Sequence, residues 1–127
     1  MKYYTIKENH LFSKAYKKGR KAVTENITVY VLPDYHANRL QRAHPLKLRI
    51  NRVGFTTTKK LGGAVVRNRT RRIMREAYYM INKNHRTKKG SLIIFCARDH
   101  ATGVKTDDIY RDMVYALRKL DIVEDQL

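Results

Sequence analysis

Arginine side chains are concentrated between positions 59 and 75, in the run KKLGGAVVRNRTRRIMR. Guanidinium groups bind phosphate through two parallel hydrogen bonds and also stack on bases, so this run suits contact with nucleic acid. On a helix that advances about 100° per residue, one set of its polar side chains gathers within an arc of about 140°. That set is Arg67, Asn68, Arg71, Arg72 and Arg75. Arg69 points between this set and the apolar side of the helix, beside Glu76.

The predicted arginine-rich face has no acidic residue to neutralise it. Arg67, Arg71 and Arg75 form like-charge pairs at a spacing of four residues. Each such pair destabilises an isolated helix by about 0.2–0.5 kcal/mol. A helix face that serves only solubility more often mixes both signs of charge. We therefore interpret this face as a binding surface for a polyanion.

Two aromatic side chains near the N-terminus, Phe12 and Tyr16, lie one helical turn apart. Tyr30 lies on a predicted strand and projects from the face opposite to Val29 and Val31. Stacking on aromatic rings contributes about 1–3 kcal/mol per unpaired base, so these residues suit the binding of single-stranded RNA. Alternatively, Phe12 and Tyr16 complete the hydrophobic core. The residues alone leave both interpretations open.

No constellation of side chains predicts a catalytic centre. Metal-dependent nucleases hold their ions with clustered carboxylates, whereas Asp107, Asp108 and Asp112 occupy capping and surface positions of a predicted helix. The five histidines are scattered, and no pair has the spacing of metal ligands on a helix. The lone Cys96 lies in an apolar run and is expected to be a buried, inert thiol. We expect any chemistry to come from a partner.

The basic residues are distributed unevenly along the chain of 127 residues, whose formal charge is +17. Positions 35 to 98 hold 17 basic residues and one acid, whereas positions 99 to 127 hold four basic and seven acidic residues. A charge of this size favours a polyanionic partner. A DNA-reading module is disfavoured, because arginines with a single Asn offer few side chains that distinguish bases. A membrane-surface protein is disfavoured, because the basic residues interleave with apolar ones on folded elements.

The single cysteine suits a reducing compartment, and the N-terminal residues lack the apolar core of a signal peptide. The longest apolar run is far shorter than the ~20 residues that cross a bilayer. We therefore expect a cytoplasmic protein.

Hydrophobic periodicity predicts one α+β domain over positions 1–127, a two-layer sandwich with one central sheet in the order α-β-β-α-β-α. A short additional strand is predicted near Lys21–Thr24. Asn9 and Thr106 are predicted to cap their helices, and Gly19 to end the first helix in the left-handed conformation.

The segment Asp34–Pro45 has no clear period and is interpreted as a basic loop. The predicted elements are helices over Asn9–Lys18 and Ala64–Lys83, strands over Asn26–Leu32, Arg49–Thr58 and Ser91–Ala97, and a final helix from Thr106. The predicted core stripe of the long helix is Val66, Thr70, Ile73, Met74, Ala77 and Ile81.

The arginine-rich run resembles the signature of the bacterial ribonuclease P protein subunit, a Lys-Lys-hydrophobic-Gly-x-Ala-Val-x-Arg-Asn-Arg pattern that opens a helix. Val53-Gly54-Phe55 resembles the family's strand before that pattern, Leu11–Gly19 its first helix and Ile93–Ala97 its last strand. The resemblance covers about residues 9 to 120 in order. Gly63 stands where the family usually has a polar residue, often Asn, so a contact there is expected to be missing. Thr70 replaces a usual aliphatic residue and is expected to loosen the core slightly.

The resemblance implies a fold like that of a domain found in small-subunit ribosomal proteins. It also implies a non-catalytic subunit of a ribonucleoprotein endoribonuclease. Its RNA subunit removes the 5′ leader of precursor tRNA, with Mg²⁺ held mainly by the RNA. The implied contacts to the catalytic RNA are Lys59, Lys60, Arg67, Asn68, Arg69, Arg71, Arg72 and Arg75. The implied leader-binding cleft uses Phe12, Tyr16, Tyr30 and Thr56. The alternative is a non-enzymatic basic RNA-binding protein, such as a ribosomal protein of similar fold.

Overall fold

A computed structural model of the chain describes residues 3–43, 50–99 and 101–124, apart from the side chains of residues 36, 37, 40 and 41. Within these residues the chain forms five strands and four α-helices, and a turn of 3-10 helix at Lys59–Leu61. The strands are β1 (Tyr4–Thr5), β2 (Arg20–Val23), β3 (Ile27–Pro33), β4 (Arg52–Thr56) and β5 (Ser91–Ala97). The helices are α1 (Asn9–Lys18), α2 (Tyr35–Ala43), α3 (Ala64–Asn84) and α4 (Thr106–Lys119).

The strands form one mixed sheet in the order β1-β4-β5-β3-β2. The central strand β5 is parallel to β4 and antiparallel to β3. At the edges, β1 is parallel to β4 and β2 is antiparallel to β3. The predicted α+β class with one central sheet is confirmed. The short strand predicted near Lys21 is present as β2, whereas β1 was not predicted because two residues carry no periodic signal.

The two faces of the sheet are covered differently. Alternate residues such as Val29 and Phe95 pack with α3 and α4 in the main hydrophobic core. The intervening residues, such as Leu32 and Ile94, form a smaller cluster with residues of α1. The sheet with α3 and α4 is thus the predicted two-layer sandwich, and α1 adds a partial cover on the opposite face. None of the helices described is both long and apolar enough to cross a membrane.

Helix α3 begins after Gly63 and buries one side along its length. The buried residues are Thr70, Ile73, Met74, Ala77, Tyr78 and Ile81, and the predicted Val66 is half-buried. The hydroxyl of Thr70 donates to the carbonyl of Val66 at 2.9 Å, so this buried polar group is satisfied within the helix. Gly63 is the exposed N-cap and makes no side-chain hydrogen bond, and a Cβ atom there would meet nothing within 4 Å. A polar side chain would therefore fit at position 63.

The basic loop predicted over Asp34–Pro45 is wrong for positions 35 to 43, which form α2. This segment contains no Gly or Pro, and its Ala, Arg, Leu and Gln residues favour helix. The amide of Asn38 donates to the carbonyl of Asp34 at 2.9 Å and closes the first turn. The side chain of Asn38 donates to the carbonyl of Gly90 at 3.1 Å and anchors the helix to the loop before β5. Positions 44, 45 and 49, also included in predicted elements, lie outside the described residues.

Two predicted helix caps are also wrong, and Gly19 ends α1 as predicted but not in the left-handed conformation. Glu8 rather than Asn9 is the N-cap of α1. Gly19 has φ −71°, and a Cβ atom there would lie 2.6 Å from the carbonyl oxygen of Ala15, so glycine allows close approach rather than a left-handed turn. Thr106 is the first residue of α4 and donates to Glu76 at 3.2 Å, while the N-cap is Lys105, whose amide donates to the carboxylate of Asp108 at 3.1 Å.

Candidate nucleic-acid interfaces

The predicted basic residues of α3 form one polar surface, which we call the arginine face. Arg67, Arg71 and Arg75 recur every fourth residue and are half-buried. The remaining members are exposed, and Arg69 lies at the margin of the surface. The arginine face comprises Lys59, Lys60, Arg67, Asn68, Arg69, Arg71, Arg72 and Arg75. Its two lysines come from the 3-10 turn before α3, so they extend the surface beyond the helix N-terminus.

Polar contacts fix the centre of the arginine face without neutralising it. Arg71 donates through Nη1 to Oγ1 of Thr57 at 3.1 Å and through Nη2 to Oδ1 of Asn68. The Nε atom of Arg67 is buried and has no hydrogen-bond partner among the described residues. None of the ion pairs found in the described part of the chain involves this surface. The guanidinium groups therefore keep their charge for an external anion.

Tyr79 extends the arginine face by one turn and was missed by the sequence analysis. It lies four residues after Arg75, and 46% of its surface is exposed. The next residues at helical spacing, Asn82 and Lys83, are also exposed. The signal that identifies Tyr79 is its four-residue spacing from Arg75, which the prediction did not follow beyond the last arginine.

The second candidate surface lies on the other side of the sheet, beside α1, and we call it the α1 cleft. Strand register places the side chains of this face in rows across β3, β5 and β4. One row is Tyr30, Ile94 and Gly54, and the next is Thr28, Cys96 and Thr56. Helix α1 packs over the first row, through Phe12 and its neighbours. The residues of the second row are all half-buried.

Phe12 and Tyr16 have different environments, which separates the two interpretations that the sequence left open. Ring atoms Cε1 and Cζ of Phe12 lie 2.6 and 2.7 Å from the position that a Cβ atom on Gly54 would occupy. Phe12 therefore packs as part of the small core cluster, and glycine at position 54 makes room for its ring. Tyr16 is 43% exposed and meets Tyr30 edge to face, with ring centroids 5.0 Å apart. The two tyrosines offer ring surface at the edge of the cleft.

The polar groups of the α1 cleft suit contact with a nucleotide chain. The hydroxyl oxygen of Thr56 is buried and has no hydrogen-bond partner within the described residues. Lys21 pairs with Tyr30 in the antiparallel register, so its exposed ammonium group lies on the same face. Burial raises the pKa of the Tyr30 phenol, and the nearby Cys96 and Tyr16 act in the same direction. Tyr30 therefore remains a neutral hydrogen-bonding group at neutral pH.

Two of these cleft residues differ from expectation. Cys96 is half-buried rather than buried, because the alternation of β5 turns it toward the open row of the cleft and not toward the main core. Lys21 was not considered as a site residue, because β2 has only four residues and its pattern does not reveal which face each side chain takes.

An ion-pair cluster closes one end of the α1 cleft. The guanidinium of Arg52 binds the carboxylate of Asp34 through Nε at 2.6 Å and Nη2 at 2.9 Å. Its Nη1 atom donates to the carboxylate of Glu8 at 3.0 and 3.1 Å. The hydrogen bond from Arg52 is the main reason that the pKa of Glu8 is lowered. Glu8 is the N-cap of α1, so the cluster ties the start of this helix to β3 and β4.

The two candidate surfaces meet at the end of β4. Thr56 belongs to the open row of the α1 cleft, and the next residue, Thr57, accepts the hydrogen bond from Arg71 of the arginine face. One peptide unit thus links a cleft residue to a residue held by the basic helix.

The described residues include no group of three or more His, Cys, Asp or Glu side chains that could hold a metal ion. Two of the carboxylates of α4 already bind other protein groups. Asp108 binds Arg111 at 2.7 Å, and Asp112 accepts hydrogen bonds from the hydroxyl of Thr24 and the amide of Asn26. The side chains of the described residues therefore do not fit a protein-held Mg²⁺ site.

Comparisons with known proteins extend the motif resemblance to nearly the whole chain. The family model described as Ribonuclease P matches residues 1–121. The chain is 30% identical over 120 residues to the ribonuclease P protein component of Natranaerobius thermophilus, covering 94% of this chain and 92% of the relative. It is 29% identical over 118 residues to that of Alkaliphilus oremlandii, covering 93% and 91%. The fold is similar to the solved structure of the Staphylococcus aureus RNase P protein, with a TM-score of 0.73, 28% identity and coverage of 97% of this chain and 100% of that chain.

Proposed function

Because the chain belongs to the ribonuclease P family, whose protein components are subunits of a ribonucleoprotein endoribonuclease, we propose that it binds the catalytic RNA through the arginine face and the 5′ leader of precursor tRNA through the α1 cleft. The observation that carries this assignment is the contact between Arg71 and Thr57. It joins the phosphate-binding helix to the strand that lines the cleft. A leader in the cleft would therefore emerge beside the RNA subunit. The family match does not favour the alternative of a ribosomal protein.

The arginine face suits the RNA subunit because its chemistry favours phosphate over base edges. Paired RNA is recognised mainly through its shape, its phosphates and its 2′-hydroxyl groups. The arginine face offers several guanidinium groups with one amide, Asn68, and this composition matches a folded RNA surface. Tyr79 adds a ring on which an unstacked base of the RNA can lie.

The α1 cleft suits an unpaired strand of varied sequence. Tyr16 and Tyr30 supply aromatic surface, and stacking tolerates every base because each has a π-face. Lys21 lies where it can neutralise a phosphate, and the unpartnered hydroxyl of Thr56 supplies a hydrogen bond. Precursor leaders differ in sequence from one tRNA to another, so recognition through stacking and charge fits this substrate.

The chemistry of cleavage is assigned to the RNA subunit. Mg²⁺ is held mainly by RNA phosphates in this proposal, since the described side chains do not form a site for it. The contribution of the protein is to neutralise repulsion between the phosphates of the substrate and those of the catalytic RNA. We place this activity in the cytoplasm, with the RNA subunit and precursor tRNA as partners and neither DNA nor membrane.

The test of the proposed function is cleavage of precursor tRNA at low Mg²⁺ concentration. The protein alone is expected to cleave nothing, and the protein with its cognate RNA subunit is expected to release the leader at the mature 5′ end. The reason is that cations on the protein substitute for Mg²⁺ ions that would otherwise screen the phosphates. Correctly placed cleavage by the RNA-free protein would contradict the proposal, and so would an RNA subunit that gains nothing from the protein.

Replacement of Tyr16 with alanine is expected to weaken binding of leader-bearing precursor by about 5- to 150-fold, corresponding to the loss of one stacked base. Binding of mature tRNA, which lacks the leader, is expected to change little. Replacement of Phe12 with alanine is expected instead to lower the free energy of unfolding, by up to about 3–5 kcal/mol, because its ring packs on Gly54. Urea unfolding and titration of the holoenzyme with both RNAs distinguish these effects.

The matched control is Tyr16→Phe, which keeps the ring and removes only the hydroxyl. This variant is expected to bind the leader nearly as the parent protein does. If Tyr16→Ala were to bind precursor and mature tRNA with an unchanged ratio of affinities, the leader would lie elsewhere.

A further inference from the structure

A groove on the outer surface of α4 combines aromatic rings with cations and is separate from both candidate surfaces. Its volume is about 740 Å³, which is within the range of small-molecule sites. His85, the C-cap of α3, forms one wall with Tyr110, and the half-buried Val114 and the exposed Tyr115 also line the groove. We call this feature the α4 groove.

The aromatic wall of the α4 groove is held in place by a hydrogen bond. Nε2 of His85 and the hydroxyl of Tyr110 are 2.8 Å apart, and the two rings are tilted by 34° with centroids 6.0 Å apart. Tyr115, by contrast, is 57% exposed and packs on no other ring among the described residues. The exposed ring of Tyr115 therefore offers a surface on which a planar group can stack.

The charge of the α4 groove stands out from its surroundings. Positions 99 to 127 hold four basic and seven acidic residues, yet three of those four basic residues line the groove, and none of the acids described by the structure does. Arg111 is paired with Asp108 at 2.7 Å, and the exposed Arg118 and Lys119 lie about two turns further along the helix. This separation of charge favours an anionic ligand.

We propose that the α4 groove binds an unpaired ribonucleotide, with its base on Tyr115 and its phosphate on Arg118 and Lys119. A base stacked on tyrosine and held by adjacent cations is the general chemistry of single-strand binding. All but one of the residues that line the groove belong to α4, which contributes nothing to the arginine face, so the α4 groove is a third surface.

The proposal is tested on the isolated protein, so it does not rest on the proposed function. Amide chemical shifts are followed by NMR during titration with the trinucleotide UpUpU. Saturable shifts are expected at positions 110, 114, 115 and 118, besides any at the α1 cleft. Tyr115→Ala is expected to weaken the groove response about 5- to 150-fold while shifts at the cleft persist. Tyr115→Phe, which keeps the ring, is expected to retain it.

A second variant, Lys119→Gln, changes an exposed cation and leaves the aromatic rings in place. It is expected to weaken binding of UpUpU at the groove and to reduce the salt dependence of that binding. The proposal fails if the groove amides do not move, if they move equally in Tyr115→Ala, or if inorganic phosphate at the same concentration produces the same shifts. If cleavage of precursor tRNA with the RNA subunit succeeds while the groove amides stay still, only this inference is lost.

The source of the nucleotide is identified in the reconstituted ribonucleoprotein. Photoreactive 4-thiouridine is placed either in the RNA subunit or in precursor tRNA, and the crosslinked peptide is sequenced. A crosslink within positions 110 to 119 from one of these strands supports the proposal and names the ligand. Absence of such a crosslink from both strands overturns it for the assembled enzyme.

Discussion

Replacing Arg67, Arg71 and Arg75 with alanine is expected to weaken binding of the RNA subunit by roughly 10³-fold at low salt. Charge-assisted hydrogen bonds contribute about 1.5–3 kcal/mol each, and 1.4 kcal/mol corresponds to a factor of ten in affinity. The logarithm of the affinity is also expected to fall less steeply with the logarithm of salt, by about 2–3 in slope for three lost phosphate contacts. Binding titrations at several salt concentrations measure both quantities.

The fold of the triple variant is expected to persist, because the three side chains lie outside the buried stripe of α3 and their removal relieves like-charge repulsion. The control variant replaces Arg39 and Arg42, two exposed cations of α2. The change in the slope of log affinity against log salt is divided by the number of arginines removed in each variant. If this value is the same for the control and the triple variant, the effect comes from net charge and not from the arginine face.

Replacing Arg52 with methionine is expected to lower the free energy of unfolding by about 3–5 kcal/mol. The side chain of Asp34 is 1% exposed, and loss of Arg52 leaves its carboxylate without the two hydrogen bonds that Arg52 donates to it. The change also frees Glu8, so α1 loses its tie to the sheet, and the distance between Tyr16 and Tyr30 becomes less defined. Urea unfolding gives the free energy, and leader affinity reports the second effect.

Two further variants make the Arg52 experiment specific. Arg52→Met combined with Asp34→Asn removes the buried charge together with its partner, and is expected to recover part of the lost stability. Lys88→Met breaks an exposed ion pair with Asp121 and is expected to cost at most about 1 kcal/mol. Equal losses for Lys88→Met and Arg52→Met would show that burial of the cluster does not matter.

The predictable parts of the fold are those in which one face of an element is buried along its length. Strand β5 was predicted with its observed bounds because it is apolar on both sides and is followed by the charged Arg98. Helix α3 was predicted within one residue because its stripe repeats over many turns. Strand β1 depends on β4, a partner distant in the chain, and such dependence leaves no local pattern. Helix α2 has residues that favour helix but no clear apolar period, and its anchor is the distant Gly90.

The sequence indicated which types of residue form the candidate site, but not which of them pack in the core, which are exposed and which form ion pairs. Phe12 and Tyr16 are equivalent on a helical projection, and only the glycine beneath Phe12 decides that one packs and the other is exposed. The Arg52 cluster joins positions 8, 34 and 52. Because these charged residues are far apart along the chain, the sequence gives no sign that they form ion pairs. The proximity of the arginine face to the cleft was likewise not predictable, because it is seen only in the hydrogen bond from Arg71 to Thr57 in the folded protein.

The strand order imposes a delay on biosynthesis. Strand β5 lies between β3 and β4, so neither neighbour has its main partner until Ala97 has left the ribosome. At about 5–20 residues per second, β3 waits several seconds with its apolar edge and one apolar face uncovered. Nascent chains in this state are prone to associate edge to edge. The excess of lysine and arginine over the first two thirds of the chain counters this, because emerging chains of like charge repel one another.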